Sequence, residues 1–252
     1  MIKAAKPVVL ITGVSSGIGL ETAKLFAAKG WIVVGTVRSR AQTAALRALQ
    51  LDLQLADMVK PRDLERVVQT AWRTYGRIDA LVCNAGYGVI GPIDTLEYAQ
   101  MNEQLTVNSL APAALVRLTV PLMRRQGYGV LVGVSSVVGR VGFSGYGIYA
   151  ASKFALEGLF ESLHMELAAA GIRTKLVEPS GVNTAFWDGL SQDGSNRTLT
   201  AETVAGVIFR AAIDKHSKLR YPVGQTKWLV LLRRIMPERW FLRILRRVIT
   251  GS

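Results

Sequence analysis

The stretch that decides the fold is residues 8–19, which reads VVLITGVSSGIG. Its first five residues form an apolar run of buried-strand length, and a glycine turn follows directly before a helical pattern that ends at Lys29-Gly30. Glycine lets a backbone approach a pyrophosphate closely, and a helix N-terminus offers unpaired N–H groups. The unit predicts a phosphate cradle, although its GxxxGxG spacing departs from the GxGxxG fingerprint and an ordinary glycine-rich turn is the alternative.

Six further strand patterns follow, and helical patterns separate them. The strands are 31–37, a segment ending at 55, 80–84, 129–135, 173–179 and 219–222; the helices are about 41–49, 62–74, 98–126, 149–170 and 201–215. This alternation predicts one α/β domain over residues 1–252, doubly wound, with a parallel sheet of about seven strands and helices on both faces. Ligands of such sheets bind at the carboxyl ends of the strands, where Gly13, Arg38, Asp57, Asn84 and Ser136 fall.

Composition excludes several classes of protein. Half of the 252 residues are hydrophobic, which is enough for a large core. The single cysteine, Cys83, excludes an internal disulfide, and two histidines offer no metal-ligand cluster. We therefore expect a reduced, metal-free cytoplasmic protein. The first apolar run is seven residues, too short to cross a bilayer.

The net charge of +13 is concentrated near the C-terminus. From Lys218 onward nine Lys or Arg accompany one acid, Glu238, and no nucleic-acid-binding motif goes with them, so nucleic acid is not expected as a partner. Residues 226–252 form a basic helical extension, in which Trp240, Phe241, Ile244, Leu245, Val248 and Ile249 fall on one helix side and the arginines on the other. Packing on the domain or on a second subunit is favoured over a membrane-surface helix.

The end of the second strand indicates which cofactor the chain binds. A fold that prefers NAD places an acid there for the ribose 2′-OH, whereas this chain reads Val37-Arg38-Ser39-Arg40. Arg38 can pair with a 2′-phosphate, which favours NADP. The alternative is a surface arginine.

Residues 133–153 read GVSSVVGRVGFSGYGIYAASK and carry the candidate chemistry. Tyr149 and Lys153 are spaced i, i+4, so a helix would place the ammonium beside the phenol. A free phenol has a pKa near ~10, and an adjacent cation lowers it, so the pair is a candidate proton-transfer device. A surface Tyr and Lys on a helix are the alternative.

Residues 180–200 are rich in Gly, Ser, Asn and Asp and predict a long loop with a short helical piece near Phe186-Trp187. Loops of this length act as lids or binding loops in compact domains. We expect this segment to be a substrate loop.

Taken together, these motifs resemble the classical short-chain dehydrogenase/reductase family over the chain to about residue 225. The family's motifs appear as TGVSSGIG (12–19), CNAG (83–86) and Tyr149-x-x-x-Lys153, with Ser136 thirteen residues before the tyrosine and Asn108 in the preceding helix. The resemblance implies a Rossmann-type fold, an oxidoreductase and a homodimer or homotetramer, and together with Arg38 it makes NADP(H) the expected cofactor.

The resemblance also implies residue roles. Tyr149 would be the acid or base, Lys153 would lower its pKa and bind the nicotinamide ribose, Ser136 would hold the substrate carbonyl, and Asn108 would anchor a proton-relaying water chain. The implied cofactor-binding residues are Gly13, Ser15, Ser16, Gly17, Ile18, Gly19, Arg38, Asp57, Met58, Asn84, Ala85, Gly86, Tyr149, Lys153, Pro179, Gly181, Val182 and Thr184. Two positions depart from the family pattern: Cys83 replaces an asparagine, and Ser180 interrupts a Pro-Gly pair.

Several segments are similar to the branch that holds 17β-hydroxysteroid and retinol dehydrogenases, which implies a bulky hydrophobic alcohol or ketone. The expected substrate-contacting residues are Tyr87, Val141, Phe143, Tyr146, Phe186 and Trp187. Ordinary loop packing is the alternative for each. Two other functions stay open: a 3-oxoacyl reductase that meets an acidic carrier through the basic tail, and a nucleotide-binding regulatory protein, which would be expected to lose Tyr149 or Lys153.

Overall fold

The computed structural model describes residues 6–182 and 199–250, without the side chains of Ala45 and residues 248–250. Within these residues the chain forms one seven-stranded parallel sheet in the order β3-β2-β1-β4-β5-β6-β7. The predicted Rossmann-type sheet is confirmed. The strands are β1 Val8–Ile11, β2 Ile32–Val37, β3 Asp52–Leu55, β4 Ala80–Cys83, β5 Gly129–Val134, β6 Ile172–Pro179 and β7 Arg220–Val223.

Helices cover both faces of the sheet. Phe26 of α1 and Ile208 of α7 are buried against one face, while Val67 of α3, Leu115 of α5 and Phe160 of α6 are buried against the other. This arrangement explains why the central strands read as continuous apolar runs. The helices are α1 Gly17–Ala28, α2 Arg40–Ala45, α3 Pro61–Tyr75, α4 Tyr98–Leu105, α5 Ala111–Gln126, α6 Gly147–Glu166, α7 Ala201–Ile213, α8 Thr226–Ile235 and α9 Glu238–Thr250.

The strand order reverses between β1 and β4. Val9 pairs with Val33 of β2 on one side and with Ala80 of β4 on the other. The connections after these two strands leave toward opposite sides, which opens a crevice above their carboxyl ends. The glycine turn after β1 lies at this point.

The predicted helix over 98–126 is continuous but changes its hydrogen-bonding pattern in the middle. Residues Thr106–Leu110 form a π-helical turn between α4 and α5. By length and composition the segment Tyr98–Gln126 could span a membrane, but Leu115 and Met123 lie in the core of the domain. The π turn contains Asn108, which is buried.

The C-terminal extension forms two helices, α8 and α9. Phe241 and Leu245 are buried against Val141, so this part of α9 packs on its own domain, one of the two kinds of packing that the sequence left open. Trp240 and Ile244 belong to the same predicted apolar side, yet both are exposed. The domain therefore covers only part of the apolar surface of α9.

We expect Gly19→Ala to destabilise the fold and to weaken nucleotide binding. A Cβ at position 19 would overlap the carbonyl oxygen of Gly13 and the side-chain amide of Asn84, and neither group can move freely. Overpacking of this kind costs roughly 1–3 kcal/mol of unfolding free energy. Urea denaturation of the purified variant measures it.

The matched control is Gly158→Ala in α6, where a Cβ meets no atom within 4 Å. This change should be neutral or stabilising by up to about 1 kcal/mol, because alanine favours a helix more than glycine does. Equal stability of the two variants would contradict the close approach at Gly19.

Candidate active site

A cleft of about 360 Å³ lies above the carboxyl ends of the strands from β1 to β6. Most of the predicted cofactor and catalytic residues line it. They are Gly13, Ser15, Ser16, Gly17, Ile18, Gly19, Arg38, Asp57, Met58, Asn84, Ala85, Gly86, Ser136, Tyr149, Lys153, Pro179 and Val182. The fold therefore brings together residues that lie up to 169 positions apart in the sequence, between Gly13 and Val182.

The glycine turn forms the floor of the cleft at the N-terminus of α1. Gly13 has a φ of +70° and lies against Ala85, so a side chain there would be strained and crowded. The side chain of Ser16, the N-cap residue of α1, makes no capping hydrogen bond. The first N–H groups of the helix are thus available to a phosphate, and the turn fits the pyrophosphate of a dinucleotide.

Thr12 and Asn84 lock this turn to the end of β4. The Thr12 hydroxyl accepts hydrogen bonds from the N–H groups of Asn84 and Ala85, at 3.0 and 2.9 Å. The Asn84 side-chain amide donates to the carbonyl oxygens of Thr12 and Gly13, at 2.9 and 3.0 Å. The structural role of Thr12 was not predicted, although the threonine before the glycine turn was part of the recognised motif.

Arg38 and Asp57 line the cleft at the ends of β2 and β3, on the β3 side of the sheet. Arg38 is exposed, while the neighbouring Ser39 caps α2 by accepting a hydrogen bond from the N–H of Gln42. The Asp57 carboxylate accepts a hydrogen bond from the N–H of Val59 at 3.2 Å. Arg38 thus lines the cleft as expected of a cofactor-binding residue, and its contact with a 2′-phosphate stays a prediction.

Tyr149 and Lys153 lie one turn apart on α6, and each side chain is about 5% exposed. The Lys153 ammonium is 5.9 Å from the centre of the Tyr149 ring and donates a hydrogen bond to the carbonyl oxygen of Val134 at 2.9 Å. Ser136, at the end of β5, is hydrogen-bonded to the Tyr149 hydroxyl. The three predicted catalytic side chains thus form one group in the cleft wall.

Burial dominates the ionisation of this group. It raises the pKa of Tyr149 above its usual value, and the hydrogen bond with Ser136 only partly opposes this effect. Burial also lowers the pKa of Lys153 to about 8, against the opposing effect of Glu157. The sequence predicted that Lys153 lowers the Tyr149 pKa, but in the structure desolvation outweighs any such effect. A neutral phenol is the form that can donate a proton.

Asn108 is buried behind the cleft rather than lining it. Its amide accepts a hydrogen bond from the N–H of Tyr87 at 3.1 Å and donates to the carbonyl oxygen of the same residue at 2.9 Å. It also donates to the Ser152 hydroxyl at 3.0 Å. Asn108 therefore ties the loop after β4 to α6, and its role in a water chain stays a prediction. The partner Ser152 was not predicted, because only the fold brings these residues together.

An ion-pair network that includes Glu157, one helical turn after Lys153, was not predicted from the sequence. Glu178 pairs with Arg140 at 2.8 Å and with Arg220 at 3.3 Å, and Arg220 also contacts Glu157 at 3.3 Å. Burial and the charge of Glu178 raise the pKa of Glu157 to about 7. The network connects the active-site helix α6 with β6 and β7.

The predicted substrate-contacting residues divide into three groups. Tyr87 lines the cleft, and Phe143 and Tyr146 pack beside Tyr149. The prediction for Val141 was wrong, because its side chain is buried against Phe241 and Leu245 of α9. Gly181 lies between the cleft residues Ser180 and Val182. The predictions for Thr184, Phe186 and Trp187, and most of the predicted loop at 180–200, lie outside the described residues.

Residues 7–194 match the family model for short chain dehydrogenases, and the chain belongs to this family of oxidoreductases, which bind a nicotinamide cofactor. It is 34% identical to the uncharacterized oxidoreductase YbbO of Escherichia coli K12, over 97% of this chain and 96% of YbbO. It is 41% identical to human retinol dehydrogenase 8, over 73% of this chain and 61% of that protein. With human 17-beta-hydroxysteroid dehydrogenase type 1 it shares 38% identity, over 73% and 59%.

Solved structures agree with this assignment. A short-chain dehydrogenase from Streptomyces avermitilis superimposes with a TM-score of 0.84 at 28% identity, over the full length of both chains. A metagenomic short-chain oxidoreductase solved with NADP gives 0.74 at 27% identity, over 86% of this chain and 97% of that one. A family member from Burkholderia phymatum solved with NAD gives 0.82 at 24% identity, over 96% and 97%, and supports the fold alone.

We expect Lys153→Met to raise the unfolding free energy near pH 7 by about 3 kcal/mol, because a lysine pKa lowered from 10.5 to about 8 costs about 1.4 kcal/mol for each pH unit and methionine carries no charge to desolvate. Burial lowers the pKa of Lys153 from 10.5 to about 8, so the folded chain binds fewer protons than the unfolded chain between these pH values. The stability of the wild type should therefore rise relative to the variant as the pH increases from 8 to 10.5. Denaturation at several pH values measures this difference, and a constant difference would contradict a penalised ammonium.

Proposed function

We propose that the protein is an NADP(H)-dependent oxidoreductase that interconverts a carbonyl and an alcohol on a hydrophobic substrate. One observation carries the proposal: Ser136 lines the same cleft as the buried Tyr149 and Lys153 side chains and a glycine turn that fits a dinucleotide. The experiments below distinguish this function from the two alternatives, a 3-oxoacyl reductase and a regulatory protein.

The residues of the cleft account for the proton transfer. The bound nicotinamide would supply a hydride to the carbonyl carbon in reduction and accept it in oxidation. In reduction, the neutral Tyr149 phenol donates its proton to the carbonyl oxygen, while the Ser136 hydroxyl orients that oxygen. The phenolate that remains would be stabilised by the adjacent Lys153 ammonium and by Ser136. In oxidation the same phenolate accepts the proton of the alcohol.

Arg38 supports the preference for NADP. Its guanidinium carries a permanent positive charge at the cleft end where the adenosine of a dinucleotide would lie. A guanidinium binds phosphate in a two-pronged geometry, whereas the acid that would bind a ribose 2′-OH is missing at the end of β2. Relatives with solved structures contain NADP in one case and NAD in another, so the proposal rests on Arg38.

Aromatic packing supports a hydrophobic substrate. Phe143 and Tyr146 meet edge to face, with ring centres 6.2 Å apart, and lie beside the Tyr149 side chain. An apolar wall next to the proton donor favours substrates that bury hydrocarbon surface. The names of the similar retinol and steroid dehydrogenases agree with a retinoid, steroid or other lipid-like substrate.

We expect Tyr149→Phe to lower kcat by roughly 10²–10⁴-fold, because it removes the donated proton while keeping the apolar ring. The measurement is absorbance of the reduced nicotinamide during turnover of a panel of hydrophobic ketones and alcohols. Undiminished turnover in the variant would contradict the mechanism.

Binding of NADPH by the same variant, measured by isothermal titration calorimetry, is the control and should be unchanged within about twofold, since the phenol is not the main anchor of the phosphates. If the wild type binds NADPH but turns over none of the panel, the regulatory protein becomes the better interpretation. Turnover confined to carrier-linked substrates would identify a 3-oxoacyl reductase.

We expect Arg38→Asp to weaken NADPH binding by on the order of 10–100-fold, because it removes a charge-assisted contact with the 2′-phosphate. NADH lacks this phosphate, so its affinity should stay the same or improve. Arg40→Asp is the matched control, because Arg40 is also exposed but does not line the cleft. Equal losses for both cofactors, or for both variants, would overturn the assignment of Arg38.

A further inference from the structure

The helix α8 carries an apolar face that no described part of the chain covers. Trp228, Leu231, Leu232 and Ile235 follow the i, i+3, i+4, i+7 spacing of one helix face, and they are 64%, 43%, 44% and 66% exposed. Four large exposed apolar side chains on one face are unusual for a soluble surface and mark an interaction site.

The helix α9 carries further exposed apolar residues. Phe241 and Leu245 are buried and hold the helix on the domain, whereas Trp240, Leu242 and Ile244 are exposed. The burial of Phe241 and Leu245 attaches α9 to the domain. The remaining apolar residues are therefore not explained by packing within the described chain.

The same two helices are strongly basic. Residues 226–250 contain seven Lys or Arg and a single acid, Glu238. Three of the cations lie beside the exposed tryptophans: Arg243 and Arg239 are 5.1 and 5.9 Å from the ring centre of Trp240, and Lys227 is 5.8 Å from that of Trp228. Tryptophan next to Lys or Arg is the combination that settles at a lipid–water interface.

We propose that α8 and α9 dock the protein on an anionic lipid surface. The exposed side chains of Trp228, Ile235 and Trp240 would enter the boundary between headgroups and acyl chains, and the cations would pair with lipid phosphates. A second copy of the chain complements this surface poorly, because two faces with the same large positive charge repel each other. An anionic bilayer complements both the charge and the apolar face.

The docking helices are connected to the segment beside the active site. Phe241 packs on Val141, two residues before Phe143, and Arg233 donates a hydrogen bond to the carbonyl oxygen of Arg140. The Ser180 hydroxyl at the cleft accepts a hydrogen bond from the N–H of Gln225, just before α8. Docking would hold this side of the cleft near the lipid from which a hydrophobic substrate would come. This step alone rests on the proposed function.

Co-sedimentation of the full chain with vesicles tests the docking. Vesicles of phosphatidylcholine alone are compared with vesicles that contain phosphatidylglycerol, at low and high salt. We expect the wild type to pellet with the anionic vesicles and to be released by salt. Trp228→Gln with Ile235→Gln should lower the partition coefficient by more than about tenfold, because two inserted apolar groups are lost. Met165→Gln, at an exposed apolar residue of α6, is the control and should change nothing.

A charge variant separates lipid docking from non-specific adhesion. Arg234→Glu with Arg247→Glu should abolish the preference for anionic vesicles, whereas Arg62→Glu with Arg124→Glu makes the same change of net charge on exposed residues elsewhere and should keep most of it. Equal effects of the two pairs would overturn the proposal, as would a wild type that does not pellet.

Sedimentation velocity tests whether a second copy of the chain, rather than a lipid surface, covers the exposed face of α8. A wild-type oligomer that the Trp228→Gln, Ile235→Gln variant converts to monomer, together with absence of vesicle binding, would show that the face joins two copies and would overturn the proposal. NADPH binding and turnover of a water-soluble substrate should be unchanged in this variant. Failure of docking is therefore distinguishable from failure of the proposed enzyme activity.

Discussion

The hydrogen bonds between Thr12, Gly13 and Asn84 are the interaction on which the site depends. They join the segments that follow β1 and β4, at the point where the strand order reverses. Asn84 contacts the glycine turn directly, and Gly19 has no room for a side chain. These close contacts hold the phosphate cradle against the loop after β4. Asn108 then fixes the same loop to α6 through Tyr87 and Ser152. The floor of the cleft and the helix that carries Tyr149 and Lys153 are thus parts of one hydrogen-bonded frame.

Buried ionisable groups lower the folding stability of this frame. Burial of Lys153 and of the network around Glu178 removes charged groups from water, which costs more than a hydrocarbon core would. The proposed mechanism uses the Lys153 cation beside the phenol, so the site carries the cost of a desolvated charge. Arg140 and Arg220 pair with Glu178, and Arg220 also pairs with Glu157 of α6, so these ion pairs offset part of the cost.

The apolar residues of the C-terminal extension fall into two groups, one packed on the domain and one exposed. The sequence pattern of α9 predicts a single apolar side, which a packed helix and an interfacial helix would share. In the structure Phe241 and Leu245 pack on the domain, while the face of α8 and the rest of α9 point outward with a surplus of arginine. Attachment to the domain and the proposed attachment to a lipid surface therefore use different residues of the same short segment. The position of Val141 under α9 follows from this arrangement.

The sequence by itself determined the sheet, the glycine turn and the Ser136, Tyr149 and Lys153 group. These features rest on local patterns: the apolar run of β1, a fixed glycine spacing and an i, i+4 pair on one helix. Only the tertiary structure decided the partners of Asn108, the network of Glu157 and Glu178, the raised pKa of Tyr149 and the burial of Val141. Each of these depends on residues far apart in the chain and on how deeply they are buried. Desolvation and long-range contacts exist only once the chain has folded, so no local pattern encodes them.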